Sequence, residues 1–342
     1  MGCRRSTSEP DFTALSVKSS ACIKGLTALL IVMHHISLKI EGGGFVYKQY
    51  AKMGYLLTAV FLFYSGYGLM WQCLNNPDYE KKFYRKRLPK VLVPYLLILL
   101  IYYVIYLALG SEFTFKRVIT SILNGDFIPY SWFMICIIVF YLFFGLFMLI
   151  SHKKPAVMIG LTFAFCVAWS AWFAYSGWGL NWFDSIHMLL FGMIIAVYKG
   201  RIEDFVKKHF VVTAIVTWTA FGVTYGTGFK VSTMLGSELV KYVVCVVTSL
   251  LFMASMLVLT VKIRFESKVF EKLGKCSLEM YLMQGLFIKI FFNSQVFLKR
   301  EFIYAILCVI ATIVAAIIVH PIDKLLLRGI LFSNSSQHNH QK

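Results

Sequence analysis

Residues 24–35 read KGLTALLIVMHH, an apolar run with a cation at its first position and two histidines at its end. In a helix that turns by about 100° per residue, Lys24 and His35 lie about three full turns apart and share one face. His34 points roughly 80° away from Lys24. The rise of about 1.5 Å per residue separates Lys24 from His35 by roughly 16 Å, about half of the hydrocarbon core of a bilayer. One end of such a helix can bind an anion while the other end carries out chemistry.

The composition is that of a membrane protein. Of the 342 residues, 59% are hydrophobic and only 15% are charged, and the mean hydropathy is +0.72. The net charge of +18 does not indicate a nucleic-acid partner, because the basic residues lie in short loops between apolar runs. We therefore predict an all-α fold, a polytopic transmembrane helix bundle that has the lipid bilayer as its surroundings.

Ten apolar segments give the expected topology. The approximate spans are 21–38, 53–73, 88–109, 131–150, 156–176, 181–198, 210–226, 238–262, 276–292 and 302–319. When these spans alternate in direction, most of the 34 Lys and Arg residues fall on the side of the N-terminus. Since positively charged loops stay in the cytoplasm, both termini are predicted to be cytoplasmic, in a multi-pass protein of the cell membrane. The predicted domains are a polar cytoplasmic arm (1–20), a membrane domain (21–328) and a polar C-terminal tail (329–342).

The first span is expected to lie inside the bundle. Only Gly25 to Met33 is uncharged and free of histidine, which is too short a stretch to face lipid alone. The eight cysteines form no C-x-x-C pair and mostly lie in apolar runs, so we expect buried thiols. The sequence contains no P-loop, Rossmann fingerprint, H-E-x-x-H or carboxylate-rich cluster, so no metal site is predicted.

Histidine is the side chain whose proton affinity suits a general base near neutral pH. His35 shares the face of Lys24 and is the predicted catalytic base. The alternative for His35 is a hydrogen bond to a neighbouring helix, and that structural role is the preferred interpretation for His34.

Four further motifs follow the Lys24 and His35 pair in order along the chain. They are 60–67 (VFLFYSGY) in the second span, 85–95 (RKRLPKVLVPY) before and into the third, Trp132-Phe133 at the start of the fourth, and 273–282 (LGKCSLEMYL) in the ninth. Together these motifs resemble the acyltransferase 3 family of membrane acyltransferases, over residues 18–328. The chain departs from that family in three places. Lys24 replaces an Arg, which keeps the charge but loses the bidentate fork. Gln284 stands where the family often has His, and its amide side chain cannot act as an acid. His320, before Pro321, stands where the family usually has Glu.

The resemblance implies an integral membrane O-acyltransferase. Such an enzyme would move an acetyl or other short acyl group from cytoplasmic acyl-CoA, acetyl-CoA in particular, to a sugar hydroxyl of a cell-envelope or surface polysaccharide. Acyl-CoA would be a co-substrate, and no tightly bound cofactor is implied. The donor phosphates require a basic cytoplasmic site, and the predicted donor-binding residues are Lys24, Arg85, Arg87 and Lys90. The alternative for the basic loop is a topological signal that contacts anionic headgroups.

Four more residues are candidates for an acyl channel or an acceptor site: Ser65, Tyr67, Trp132 and Asp184. The alternative for Ser65 and Tyr67 is a hydrogen bond to a helix backbone or a neighbouring helix. Asp184 is three residues from His187, so we expect the two on one helix face, orienting His35 or binding the acceptor. Glu279 is expected to pair with Lys24 or Lys275.

Two other functions fit the sequence. Ten spans with intramembrane charges also suit a transporter of a small polar or anionic substrate, although no five-plus-five repeat is visible. The departures at Lys24 and Gln284 leave open a non-catalytic partner in export or assembly. The sequence alone does not choose the acyl group, the acceptor sugar or the oligomeric state.

Overall fold

The computed structural model of the protein describes residues 12–40, 44–293 and 300–339, and this part of the chain is helical without strands. The helices are α1 (Val17–Ser37), α2 (Phe45–Lys52), α3 (Gly54–Asn75), α4 (Tyr79–Arg87), α5 (Pro89–Ala108), α6 (Phe115–Leu123), α7 (Trp132–Ser151), α8 (Pro155–Tyr175), α9 (Met188–Lys208), α10 (Phe210–Leu235), α11 (Glu238–Leu259), α12 (Lys268–Lys275), α13 (Ser277–Asn293) and α14 (Glu301–Asn339). Short 3₁₀ turns occur at Thr13–Leu15 and Leu180–Trp182.

Eight helical segments of the described chain are long and apolar enough to cross a bilayer. They are Val17–Ser37, Phe45–Asn75, Tyr79–Ala108, Trp132–Ser151, Pro155–Tyr175, Phe210–Leu235, Glu238–Leu259 and Glu301–Ile330. The two remaining predicted spans correspond to α9 and α13. Helix α9 ends in a charged sequence, and α13 has 17 residues, fewer than the roughly 20 of a typical span. The all-α, multi-pass class is confirmed, and the count of ten spans stays a prediction.

Helix α1 lies inside the bundle, as its short uncharged stretch predicted. It contacts α2, α3, α12, α13 and α14. Its first turn is capped by Ser16, whose side chain accepts a hydrogen bond from the backbone N–H of Ser19. The helix then continues without a break to Ser37, so Lys24 and His35 are held on one rigid element.

Two close helix crossings hold the bundle together. A Cβ atom on Gly66 would collide with the carbonyl of Leu189, and one on Gly192 with the carbonyl of Phe63, so α3 and α9 meet backbone to backbone. Helices α1 and α12 cross in the same way at Gly25 and at Gly274, in the 273–282 motif. Small residues at crossings are a usual device of membrane bundles. The glycine of the 60–67 motif therefore has a packing role.

The predicted domain boundaries stay predictions, and the structure adds contacts near both ends of the described chain. Phe12 and Leu15 are buried, and the backbone N–H of Phe12 donates to the Glu203 carboxylate at 3.1 Å. Phe12 and Leu15 thus pack on the bundle, Val17 is exposed, and residues 1–11 lie outside the described residues. Helix α14 continues to Asn339, into the predicted tail. The cysteines of the described chain are buried and unpaired, as expected.

Candidate active site

A cavity of about 420 Å³ opens beside the end of α1 that carries the two histidines. It is lined by Ile31, His34, His35, Leu38, Ala51, Lys52, Gly54, Tyr55, Thr58, Tyr130, Trp132, Leu180, Asn181, Asp184, Phe229, Cys245 and Tyr281. We call it the His35 pocket. Aromatic walls with a few convergent polar groups are typical of small-molecule sites.

His35 is held in the wall of this pocket by an aromatic contact. Its side chain is 93% buried, with 7% of the residue exposed, and its ring stacks on Tyr130 with 3.8 Å between centroids and an angle of 10° between planes. Tyr130 has a φ of +70°, in the left-handed region that non-glycine residues rarely adopt. The hydroxyl of Tyr281 donates a hydrogen bond to the Tyr130 carbonyl. The 273–282 motif thus supports the residue on which His35 stacks.

His34 lines the same pocket but has a structural partner. Its Nδ1 atom lies 2.9 Å from the carbonyl oxygen of Tyr50 in α2. Its ring also packs so closely on Gly54 that no side chain could be placed there. His34 therefore joins α1 to the turn between α2 and α3, which agrees with the structural role preferred for it.

Trp132 and Asp184, two of the four channel or acceptor candidates, line the same pocket as His35. Asp184 lies before α9, with 7% of the residue exposed, and its carboxylate accepts a hydrogen bond from the Ser185 hydroxyl at 2.9 Å. The expected common helix face with His187 is wrong, because α9 begins only at Met188. His187 instead lies 3.1 Å from the Tyr242 hydroxyl, measured from its Nε2 atom.

Ser65 and Tyr67 lie apart from the His35 pocket. The Ser65 hydroxyl is 2.9 Å from the Tyr141 hydroxyl of α7. The Tyr67 ring stacks on Trp71 with 6.0 Å between centroids. The Ser65 contact joins α3 to α7, which is the alternative interpretation for that residue, whereas the Tyr67 contact lies within α3.

A group of cations lies beside the N-terminal half of α1, eleven residues before His35 along the helix. Lys24 Nζ lies 5.9 Å from the ring centroid of Tyr64, and Arg87 Cζ lies 5.9 Å from that of Tyr141. Both cations lie against the same stretch of α3, because Lys24 is beside Tyr64 and Arg87 Nη2 is the nearest atom to a Cβ at Gly68, at 3.6 Å. Neither cation belongs to an ion pair of the described chain. The Nε atom of Arg87 is buried without a hydrogen-bond partner among the described residues. We call Lys24 and Arg87 the cation pair.

Arg85 and Lys90 are exposed at the edge of this region. They lie on α4 and at the start of α5, and α4 is fixed to the bundle by Phe83, whose side chain is fully buried. Of the four predicted donor-binding residues, the structure therefore places Lys24 and Arg87 together and leaves Arg85 and Lys90 at the surface.

A second, narrow cavity of about 60 Å³ lies between the two ends of α1. It shares Ile31, Thr58 and Tyr281 with the His35 pocket and is also lined by Phe61, Phe133, Ser277 and Leu278. Ser277 follows closely after Gly274, which packs against Ala21 in the first turns of α1. The empty space thus extends from the His35 pocket toward the end that carries Lys24.

Tyr130 and Tyr281 support His35 without a predicted role, and Glu279 has a different partner from those expected. Tyr130 has no motif that marks it, because its role depends on its backbone conformation. Tyr281 belongs to a recognised motif, which was the available signal. Glu279 pairs with neither Lys24 nor Lys275: its carboxylate lies 2.5 Å from His320 Nδ1. The described residues contain no group of three or more side chains that could hold a metal ion.

Comparisons with known proteins agree with the motifs. A family model described as an acyltransferase domain, that of the acyltransferase 3 family, matches residues 18–320. No curated protein and no solved structure matches the chain. The match includes α1 to α13 and most of the apolar part of α14, so it covers the cation pair and the His35 pocket. The chain belongs to the acyltransferase 3 family and is a multi-pass membrane acyltransferase by family.

Proposed function

We propose that the protein transfers an acetyl or other short acyl group from cytoplasmic acyl-CoA to a sugar hydroxyl of a cell-envelope or surface polysaccharide. The observation that supports this most is the presence of two unlike sites at opposite ends of α1. Two cations that have no carboxylate partner among the described residues lie in the N-terminal half of α1 and beside it, a pocket with a buried histidine lies at the C-terminal end, and a narrow cavity lies between them. A donor with a charged head and a reactive thioester on a long arm fits this arrangement.

The cation pair is the proposed site for the donor phosphates. Because Lys24 and Arg87 have no carboxylate partner in the described chain, a phosphate can bind them without displacing an ion pair. The Arg87 guanidinium offers the fork geometry that matches phosphate oxygens. Arg85 and Lys90 are exposed beside it and available to the remaining phosphates of acyl-CoA. In this proposal the N-terminal end of α1 faces the cytoplasm, as does the loop at 81–90.

His35 is the proposed general base. Its imidazole would take the proton of the acceptor hydroxyl as the hydroxyl oxygen attacks the thioester carbonyl carbon. A carbon–oxygen bond forms, the carbon–sulfur bond breaks, and the leaving thiolate takes the proton from the imidazolium. Trp132 offers a flat apolar face for a sugar ring, and Asp184 offers carboxylate oxygens for its hydroxyls.

The test is acyl transfer by the purified full-length protein in detergent, where both ends of the site are accessible. The probes are acetyl-CoA with a radiolabelled acetyl group and envelope polysaccharide from the producing cells. We expect label on the polysaccharide that is released by mild base, as an ester is, together with stoichiometric free CoA thiol. Free thiol without labelled polysaccharide would contradict the proposed acceptor. Labelled acetyl-CoA that crosses proteoliposomes unchanged, with no transfer, would favour a transporter.

A further inference from the structure

Gln284 lies in the interior of the bundle, beside the proposed base. It belongs to α13 and has 0% of its surface exposed. Its side-chain Nε2 atom donates a hydrogen bond to the Tyr281 carbonyl at 2.9 Å. This bond orients the amide and leaves Oε1 as the free end. That oxygen is buried and has no hydrogen-bond partner among the described residues.

His35 presents the complementary atom. Its Nδ1 atom is also buried without a hydrogen-bond partner in the described part of the chain, while the ring lines the pocket. The two helices pack together at this level, because Ile288 of α13 shares a buried cluster with Val32 and Ile36 of α1. Tyr281, to which Gln284 is bonded, in turn holds the Tyr130 on which His35 stacks. A buried amide oxygen accepts and an imidazole N–H donates, so pairing the two satisfies both atoms, whereas leaving them apart is costly.

We propose that Gln284 is a positioning residue that fixes the tautomer of His35. The amide oxygen accepts a hydrogen bond from Nδ1–H, so Nε2 carries no proton and faces the His35 pocket, ready to accept one. This inference rests on the proposed function, because it assigns a task to the histidine that acts as base. The orientation of one imidazole nitrogen is set by the hydrogen bond that the other nitrogen makes.

An uncharged partner has a specific consequence for the base. A carboxylate at this position would stabilise the protonated imidazolium, whereas an amide orients the ring without adding charge. Seven other titratable side chains line the pocket with His35. They are His34, at 4.9 Å between ring centroids, Lys52, Tyr55, Tyr130, Asp184, Cys245 and Tyr281. Gln284 cannot act as an acid, but positioning His35 needs only a hydrogen-bond acceptor, which the amide oxygen supplies.

The direct test is the protonation of the His35 ring, read by nitrogen NMR of the full-length protein labelled with ¹⁵N-histidine in detergent. The His35 signals are identified by their loss in His35→Ala. We expect the wild type to hold the proton on Nδ1. Gln284→Leu keeps the bulk of the side chain but removes the hydrogen-bond acceptor, so we expect a mixture of the Nδ1–H and Nε2–H tautomers of His35 in this variant. A wild-type ring protonated on Nε2, or an identical spectrum in Gln284→Leu, would overturn the inference.

Kinetics separate positioning from packing. Gln284→Leu should lower kcat by about 10- to 100-fold, as the loss of a partner that orients a histidine does in other sites, with the donor KM unchanged within twofold. Gln284→Glu restores an acceptor, so it should recover activity and move the acidic limb of the kcat profile to higher pH. A packing role predicts the reverse order, with Leu tolerated and Glu harmful. Gln72→Leu, at an exposed glutamine of α3, is the matched control.

The two proposals fail in different ways. If the wild type transfers no acyl group to any acceptor, the proposed function fails, and the NMR spectrum still decides whether Gln284 holds the Nδ1 proton. If the wild type is active and Gln284→Leu matches it in kcat and tautomer, the positioning role alone is wrong. Variants are compared only as monodisperse protein at equal concentration, so that a folding defect is not counted as lost positioning.

Discussion

Replacing His35 by Ala tests whether this imidazole on α1 is the general base. Loss of a general base typically lowers the rate by about 10² to 10⁴. At about 1.36 kcal/mol per decade, this corresponds to about 2.7–5.4 kcal/mol of lost transition-state stabilisation. We expect a reduction of this size in kcat for His35→Ala.

The neighbouring His34→Ala is the matched comparison. His35→Ala loses the stacking on Tyr130, worth about 0.5–1.5 kcal/mol, and His34→Ala loses the hydrogen bond to Tyr50, worth about as much. The two variants should therefore lose similar stability. Only His35→Ala should lose transition-state stabilisation, and His34→Ala should keep its rate within about tenfold of the wild type.

The assay is the initial rate of acyl transfer at matched protein levels, with thermal unfolding in detergent measured on the same samples. Because the His35 pocket is open, added imidazole should partly restore turnover to His35→Ala. If His34→Ala is inactive and His35→Ala remains active at equal stability, the assignment of the base is refuted, and the shared face with Lys24 has no functional meaning.

Three further predictions concern donor binding, packing and topology. Arg87→Ala should raise the acyl-CoA KM by about tenfold or more, because it loses about 1.5–3 kcal/mol of charge-assisted contact. Arg85→Ala should raise the KM less, because the Arg85 side chain is exposed. Equal effects of the two variants would contradict the assignment of the cation pair as the phosphate site. Gly66→Ala should lower thermal stability, since a new Cβ would meet the backbone of α9 and overpacking costs about 1–3 kcal/mol, whereas Gly68→Ala, with its nearest atom 3.6 Å away, should be tolerated. In Lys82→Cys, the new cysteine should not react with impermeant thiol reagents in intact cells. Strong labelling of this cysteine would contradict the proposed cytoplasmic location of the loop at 81–90.

The sequence by itself determined the class of fold and indicated the two ends of the proposed site. Long apolar segments without charges form few structures other than membrane helices, because backbone polar groups inside lipid must form hydrogen bonds within the protein. The spacing from Lys24 to His35 is a property of one helix, so helical geometry predicted their separation without further information. The motif at 273–282 likewise identified Tyr281 as a residue of interest.

Only the tertiary structure decided which residues meet. Asp184 and His187 were expected on one helix face, but the chain is irregular until Met188, and such a boundary depends on packing against neighbouring helices. Arg85 and Arg87 look equivalent in the sequence, yet the packing of α4 turns one outward and the other toward Lys24. The proposed pairing of Gln284 with His35 joins residues about 250 positions apart, and it depends on which atoms are buried without partners. Such burial is set by how all of the helices pack, and no local pattern contains that information.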